Sequence, residues 1–436
     1  MGDALALAGQ GAASTCFFSV FFLVAFIPTV TAPLVASAAG QGDMEGAKQR
    51  ICEALYLANA IGLVGMLLLV CFPGAVLSLV LSPSSPALPY ATRYLRYRSI
   101  SLVPALFSSV SFAAFRGTLD TVTPLKVSLA SNLLNLVLDP ILIFGAHLGV
   151  AGAALATALA EVLSGAVYLV LLLRRKLASV ALMLRPPSVA SLLPLLQGAL
   201  AMLARQAVLN LSFISATRAA QLMDPTGVQA AAYSITNQMY SLGVVVMLAM
   251  QATGATIVPA AMSKEGTDRA RAVADRLIMW SLCASVAFSG LQIALLGPLT
   301  NLFTTLPAVR DAVRQPAIIS ACIQSLNGPL FAGEGILMGV GGFGFLAGAT
   351  ALGVAVMVAG IQLTTRLGIG ISGIWLSLAG FHVVQLTAVL LHHLRLGPLA
   401  RRQPTPPPLV DCTDVPVVGE VCVVDEPATS AAGESE

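Results

Sequence analysis

Charge is the scarcest property of this 436-residue chain: only 10% of its residues are Asp, Glu, Lys or Arg, against roughly a quarter in a soluble domain. No charged residue occurs from Ala4 to Gly42, Ala54 to Thr92, Pro225 to Ser263, Leu277 to Val309 or Gly335 to Thr365. Each gap exceeds the ~20 residues that cross a bilayer as a helix. The seven cysteines have no C-x-x-C or C-x-x-H spacing, and five fall in apolar runs, which excludes a zinc site and a disulfide framework. A Walker motif G-x-x-x-x-G-K-[ST] is missing, so ATP-driven transport within the chain is excluded. No nucleophile and base stand at a readable spacing, and no basic patch is concentrated enough to bind nucleic acid, so neither an enzyme nor a nucleic-acid partner is expected. The amino terminus carries Asp3 and no basic segment before its first apolar run, unlike a signal or transit peptide.

What remains is hydrophobic: 57% of residues are apolar, without the alternation of a barrel strand. Backbone groups in lipid must then be satisfied within helices. Turn residues and charges delimit spans near 14–39, 52–81, 94–115, 125–146, 149–173, 190–221, 228–260, 276–303, 316–339, 343–364 and 369–395, an all-α polytopic membrane protein. Threaded alternately, they place fifteen of the 23 Lys and Arg on the side of the carboxyl terminus and seven on the other, with Arg205 inside a span. The positive-inside bias therefore sets the carboxyl terminus in the cytoplasm or stroma.

The chain also resembles itself. Leu148-Gly149-Val150 returns as Leu367-Gly368-Ile369, Arg116-Gly117 as Met338-Gly339, and Leu34-Val35-Ala36 as Ile257-Val258-Pro259. Each pair is separated by about 220 residues, which predicts two pseudo-symmetric bundles around a central cavity. The expected lobes are 1–176, with five helices, and 190–400, with six, joined by a linker at 177–189. Subtracting the interval leaves room for one helix before Met1, so the first copy is expected to lack its opening span. Residues 401–436, with a proline run and seven acids but no base after Arg402, read as a disordered acidic tail.

Ionisable groups within spans are functional candidates, because the bilayer disfavours them. Asn135 and Asp139 share a helix face, and Pro140 frees a carbonyl beside them. Thr157 and Glu161 repeat the spacing on the next helix. These four form an oxygen-rich set suited to a proton or sodium ion, and an apolar cavity would let Asp139 take up and release a proton. The alternative is that Asp139 caps a kinked helix, and that Glu161 lies at the surface or pairs with a base. In the second half the candidates are Arg205, Gln251, Gln324, Asn327 and Glu334. Arg205 and Glu334 either pair across the cavity, where substrate or proton competes, or form a fixed salt bridge. Gln324 and Asn327 fit a helix-to-helix hydrogen bond, and His382 fits a core polar role.

The block Phe115-Arg116-Gly117-Thr118-Leu119-Asp120-Thr121-Val122-Thr123-Pro124-Leu125, then Asn135, Asp139-Pro140, Ile143-Phe144 and Leu148 to Ala154, resembles the amino-terminal lobe of the multidrug and toxic compound extrusion transporters. Gln229 to Met262, with Gln251, and Gln324 to Gly339 resemble the carboxyl-terminal lobe of the plant and bacterial branch related to the DNA-damage-inducible transporters. The likeness covers about residues 14–398. It implies two six-helix lobes and export of a small organic solute against inward flow of protons or sodium, with no cofactor beyond that ion. It also implies that Asn135, Asp139 and Thr157 match the amino-lobe cation site and that Glu334 holds the place of a carboxyl-lobe acid. The family's other amino-lobe acid lies on its first helix, the one the first copy is expected to lack. Organic acids, phenolics and cationic drugs all stay open as solutes. The expected setting is a monomer in the plasma membrane or, by analogy with plant relatives, the plastid envelope. A lipid-linked oligosaccharide flippase, an intramembrane transferase and a non-transporting paralogue are the rival readings.

Overall fold

A computed structural model describes residues 9–14, 16–18, 20–21, 26–78, 86–223 and 228–400. The expected acidic tail and part of the first expected span lie outside the described residues. Within them every regular element is a helix. In chain order the principal ones are α1 (Phe26–Gly40), α2 (Met44–Cys71), α3 (Leu88–Ser99), α4 (Leu102–Gly117), α5 (Val122–Pro140), α6 (Val150–Arg174), α7 (Val189–Leu222), α8 (Val228–Glu265), α9 (Thr267–Ala294), α10 (Pro307–Gly339), α11 (Phe343–Arg366) and α12 (Ile371–Leu391). Among the described residues eight helical segments are long and apolar enough to cross a membrane, and a ninth forms when α3 and α4, bent by 49°, count as one. This is a multi-pass membrane protein. Of the eleven expected spans, α1 falls outside that set because its described part has 15 residues, and α10 because its core-facing side is polar.

Two boundaries differ from expectation for one reason. The span expected at 276–303 is helical from Thr267 to Ala294, then breaks into a short helix, Leu296–Phe303. Asp268, Arg269, Arg271 and Asp275 precede the expected span, yet they occupy helical turns that continue beyond the apolar segment. There Arg269 pairs with Glu265 and Arg271 with Asp275. Likewise α10 begins at Pro307, with proline in its first turn where no amide donor is needed.

The duplication is visible in backbone geometry. Left-handed residues Leu119 (φ 62°), His147 (φ 53°) and Gly149 (φ 56°) have counterparts Gly341 (φ 80°), Gly368 (φ 69°) and Gly370 (φ 70°), each about 220 residues on. Close helix approaches repeat too: a Cβ on Gly117 would meet the Ala32 carbonyl at 2.8 Å, and one on Gly339 the Gly254 carbonyl at 3.2 Å. In the first half α4 packs on α1, α2 and α6; in the second, α10 packs on α8, α9 and α12.

Each half has its own buried core, Phe17, Leu55, Phe115 and Tyr168 in one, Tyr233, Tyr240, Ile361 and Trp375 in the other. A third cluster joins them: Val30 of α1 packs with Met202, Ala255, Leu330 and Leu346. The repeat-related α1 and the end of α8 meet there, and Ser37 Oγ lies 3.0 Å from Ser263 Oγ. In the second half α7 lies along α11. No described helix covers the corresponding flank of α5, where Leu125, Leu129, Leu133 and Leu136 are exposed.

Candidate functional site

Polar side chains gather inside both halves. In the first, α5 and α6 run side by side and Asn135 Nδ2 donates to Thr157 Oγ1 at 3.3 Å, while that hydroxyl donates to the Ala153 carbonyl at 3.1 Å. Asp139 lies one turn beyond Asn135, and its buried Oδ1 has no hydrogen-bond partner among the described residues. Pro140 removes an amide donor at this point, and the backbone widens into a π-turn over Ile141–Gly145. Glu161 is held away from this group. Arg98 of α3 grips it with two bonds of 2.6 and 2.9 Å, and the guanidinium also stacks 4.0 Å from the Phe17 ring centre. The structure thus brings Asn135 and Thr157 together, sets Asp139 on the same face, and engages Glu161 in a separate ion pair.

Between α1, α4, α5 and α6 lies a cavity of about 490 Å³, lined by hydroxyls that include Thr29, Ser108, Ser128 and Ser164, with Arg116 at one side. Arg116 Nε has no partner among the described residues. The repeat explains the position of this cavity. Thr29, Phe112, Ser128 and Ser164 stand about 220 residues before Gln251, Glu334, Thr350 and Gln385. Those four form one hydrogen-bonded group with Arg205 in the second half.

There Arg205 Nη2 donates to both oxygens of Glu334 at 2.7 Å, and its Nε donates to Thr350 Oγ1 at 3.2 Å. Gln251 Nε2 donates to Glu334 Oε2 at 2.6 Å, and Gln385 Nε2 to Thr350 Oγ1 at 3.0 Å. The side chains of Arg205 and Glu334 are 16% and 3% exposed. Two charges so far from water are stable only because each is bound by the other and by neutral partners. A second network lies two turns away on α10. Asn327 Nδ2 donates to Gln324 Oε1 at 2.9 Å and to the Tyr240 hydroxyl oxygen at 3.0 Å. His382 Nδ1 lies 2.7 Å from the Leu378 carbonyl, which can only accept, so Nδ1 carries a proton. In the neutral ring Nε2 then accepts from Tyr240 Oη, 2.8 Å away.

Arg205, Gln251 and Glu334 are therefore brought together, while Gln324 and Asn327 belong to the neighbouring network. Sequence reasoning missed Tyr240, Thr350, Gln385 and Arg98. The usable signal was Gln385, three residues after His382 in an otherwise apolar helix, since two polar groups on one buried face need partners. No group of His, Cys, Asp and Glu that could hold a metal occurs among the described residues.

A family model described as MatE matches residues 1–141 and 201–364. The chain is 27% identical over 340 residues to the chloroplastic protein DETOXIFICATION 44 of Arabidopsis thaliana, a match covering 78% of this chain and 64% of that one. It is 32% identical over 151 residues to DNA damage-inducible protein F of Escherichia coli (strain K12), covering 35% and 32%. The chain spans less than two thirds of the length of the Arabidopsis relative. Among solved structures, a MATE protein in the bent conformation superposes with a TM-score of 0.81 at 20% identity, over 89% of this chain and 88% of that one. An outward-facing MATE transporter of the MOP superfamily gives 0.81 at 19%, over 91% and 89%. These likenesses show a shared fold.

Proposed function

Because the chain belongs to the MatE family, we propose that it is a secondary transporter that exports a small organic compound in exchange for protons or sodium, by rocking two bundles against each other. The observation that carries this reading is the contact between α1 and α8. Two repeat-related helices meet where the halves join, and each carries a polar group on its own bundle's side: Thr29 of α1 lines the hydroxyl-rich cavity, and Gln251 of α8 binds Glu334. Such an architecture opens to one side when the seam parts and to the other when it closes.

In this reading Asp139, with an unpartnered carboxylate oxygen beside Asn135 and Thr157, accepts and releases the coupling ion. The Arg205–Glu334–Gln251 group holds the second bundle's helices in register and is the place where an ion or solute competes for Glu334. The lobes are assigned as 1–176 and 190–400, with the chain acting as a monomer in the bilayer.

The test is efflux from proteoliposomes under an imposed proton or sodium gradient, with citrate, a phenolic acid and an organic cation as solutes. The chain is compared with a version extended by one upstream helix and with Asp139→Asn. Gradient-driven efflux that disappears in Asp139→Asn is the expected result. Efflux that persists in that variant removes Asp139 from the coupling role, and no efflux from either version removes the transport reading.

A further inference from the structure

Arg93 and Arg96 have no explanation in the transport reading. They lie one turn apart on α3, at the end of the bundle opposite the carboxyl terminus, where basic residues are sparse. Arg98, on the inner face of the same helix, is consumed by Glu161. Arg93 and Arg96 face outward, exposed, with no hydrogen bond or ion pair among the described residues. No Asp or Glu occurs between Glu53 and Asp120, so this stretch of chain supplies no counter-charge.

The two arginines do not stand on an open surface. Together with Leu88, Pro89, Thr92, Tyr97 and Ile100 they form the α3 side of a recess of about 630 Å³, which Val70 at the end of α2 borders with an apolar side chain. Below Val70, the exposed Leu67 and Leu63 continue as one stripe along α2. That stripe runs about 10 Å toward the middle of the membrane, at the helical rise of ~1.5 Å per residue. A polar, cationic mouth above an apolar track is the complement of a phospholipid, with phosphate at the arginines and an acyl chain along α2.

About 220 residues on, the outward positions of α10 carry Gln315, Ile318 and Cys322 in place of Arg93, Arg96 and Ile100, while Arg310 and Arg314 stand at the places of Leu88 and Thr92 with Asp311 between them. The second bundle thus carries its cations nearer the outer end of the helix and beside an acid, whereas Arg93 and Arg96 lie deeper along α3 on a stretch with no acid.

We propose that Arg93 and Arg96, with Thr92 and Tyr97, bind the headgroup phosphate of an anionic phospholipid, whose chain lies along Val70, Leu67 and Leu63. A soluble phosphate lacks the part of the ligand that the apolar stripe contacts, and a zwitterionic lipid offsets the arginines with its own cation.

The test is native mass spectrometry of the detergent-purified chain titrated with phosphatidylglycerol, phosphatidylcholine or glycerol 1-phosphate. The parent is compared with Arg93→Gln/Arg96→Gln and with Arg93→Lys/Arg96→Lys. Each basic residue near a membrane surface favours anionic lipid by a factor of about five, so the Gln pair is expected to lose about thirtyfold in phosphatidylglycerol affinity. Phosphatidylcholine binding should be unchanged, and the Lys pair should retain most of the selectivity. Both arginines are exposed, so these substitutions leave packing intact, and equal elution volumes check that. Equal binding of the two lipids by the parent overturns the proposal. So does unchanged phosphatidylglycerol affinity in the Gln pair, or competition by glycerol 1-phosphate at equal concentration.

Discussion

Removing one member of the Arg205–Glu334 pair should be worse than removing both. Glu334→Ala leaves the guanidinium of Arg205 buried with only the Thr350 hydroxyl, and takes from Gln251 its acceptor. Breaking a buried pair from one side costs about 3–5 kcal/mol, at least a hundredfold in the unfolding equilibrium. The double variant Arg205→Met/Glu334→Leu removes both charges and fills similar volumes. What remains is the loss of partners for neutral Gln251 and Thr350, about 1–3 kcal/mol in all. The assay is equilibrium unfolding in mixed detergent and dodecyl sulfate, followed by the fluorescence of Trp375. That ring is 1% exposed and packs on Tyr240 in the same bundle. The expected order of stability is parent, double variant, Glu334→Ala. A double variant less stable than Glu334→Ala would refute the reasoning, because the pair would then act through packing and not through charge neutralisation. If the double variant folds well but no longer transports, the pair has a role beyond holding helices together.

The seam between the halves can be locked: Ser37→Cys/Ser263→Cys should cross-link under mild oxidation, since the two hydroxyls are 3.0 Å apart, and should stop efflux until a reductant is added. Cross-linking without any effect on efflux would mean the seam does not part. Asp120, in the turn between α4 and α5, has its carboxyl held below the ordinary 3.8, chiefly by the Thr123 hydroxyl at 2.7 Å. Its folded-state value is depressed, so its stabilisation is complete above 3.8 and is lost as the pH falls through the lower folded value. In Thr123→Val less of that depression remains, so the thermal midpoint should be lower at neutral pH and its acid-side fall smaller than in the parent, while an unchanged fall would remove Thr123 as the cause. Gly149 and Gly370 begin α6 and α12 at φ 56°, ψ −130° and φ 70°, ψ −154°, where other residues are strained. Alanine at either should cost about 1–3 kcal/mol, and similar losses at both would confirm the turns as equivalent.

Helices and their duplication were readable because the bilayer imposes a coarse rule, a long uncharged run for each span, and because turns that need φ > 0 leave glycine in the sequence. Gly149 shows this, although the sequence likeness pairs it with Gly368 and the backbone pairs it with Gly370, two residues further on. Leu119 with Gly341 shows its limit, since only one member of that pair advertises the turn. Helix ends were misjudged where charge was taken as the end of a helix: α9 continues through Asp268 to Arg276 because an α-helix leaving the membrane needs no apolar side chains. Arg205 with Glu334 was legible as two charges each in need of the other. For Glu161 the spacing offers the Asn135 face or a basic partner, and the structure shows the second, in Arg98. Nothing along the chain records a distance between helices that are 63 residues apart. Thr350 was hidden for a different reason, because a threonine in a membrane helix commonly satisfies itself on the carbonyl one turn back, as this one does at Leu346.

The polar burden of α10 has a consequence for how the chain is made. Gln324, Asn327 and Glu334 all lie on this helix and are buried, and Arg310, Asp311 and Arg314 occupy its opening turns. A charged residue adds up to about 2.5–3.5 kcal/mol against entry into the bilayer from the translocon, less toward the ends where those of α10 lie, and the central Gln324 and Asn327 add their own cost. α10 is therefore a poor membrane segment when it first emerges. Its partners Gln251 and Tyr240 on α8, and Arg205 on α7, are synthesised earlier and await it, whereas Thr350, His382 and Gln385 arrive afterwards. Insertion of this helix is thereby tied to its predecessors. A substitution in α7 or α8 that removes one of those waiting partners should reveal itself first as α10 left outside the membrane during synthesis.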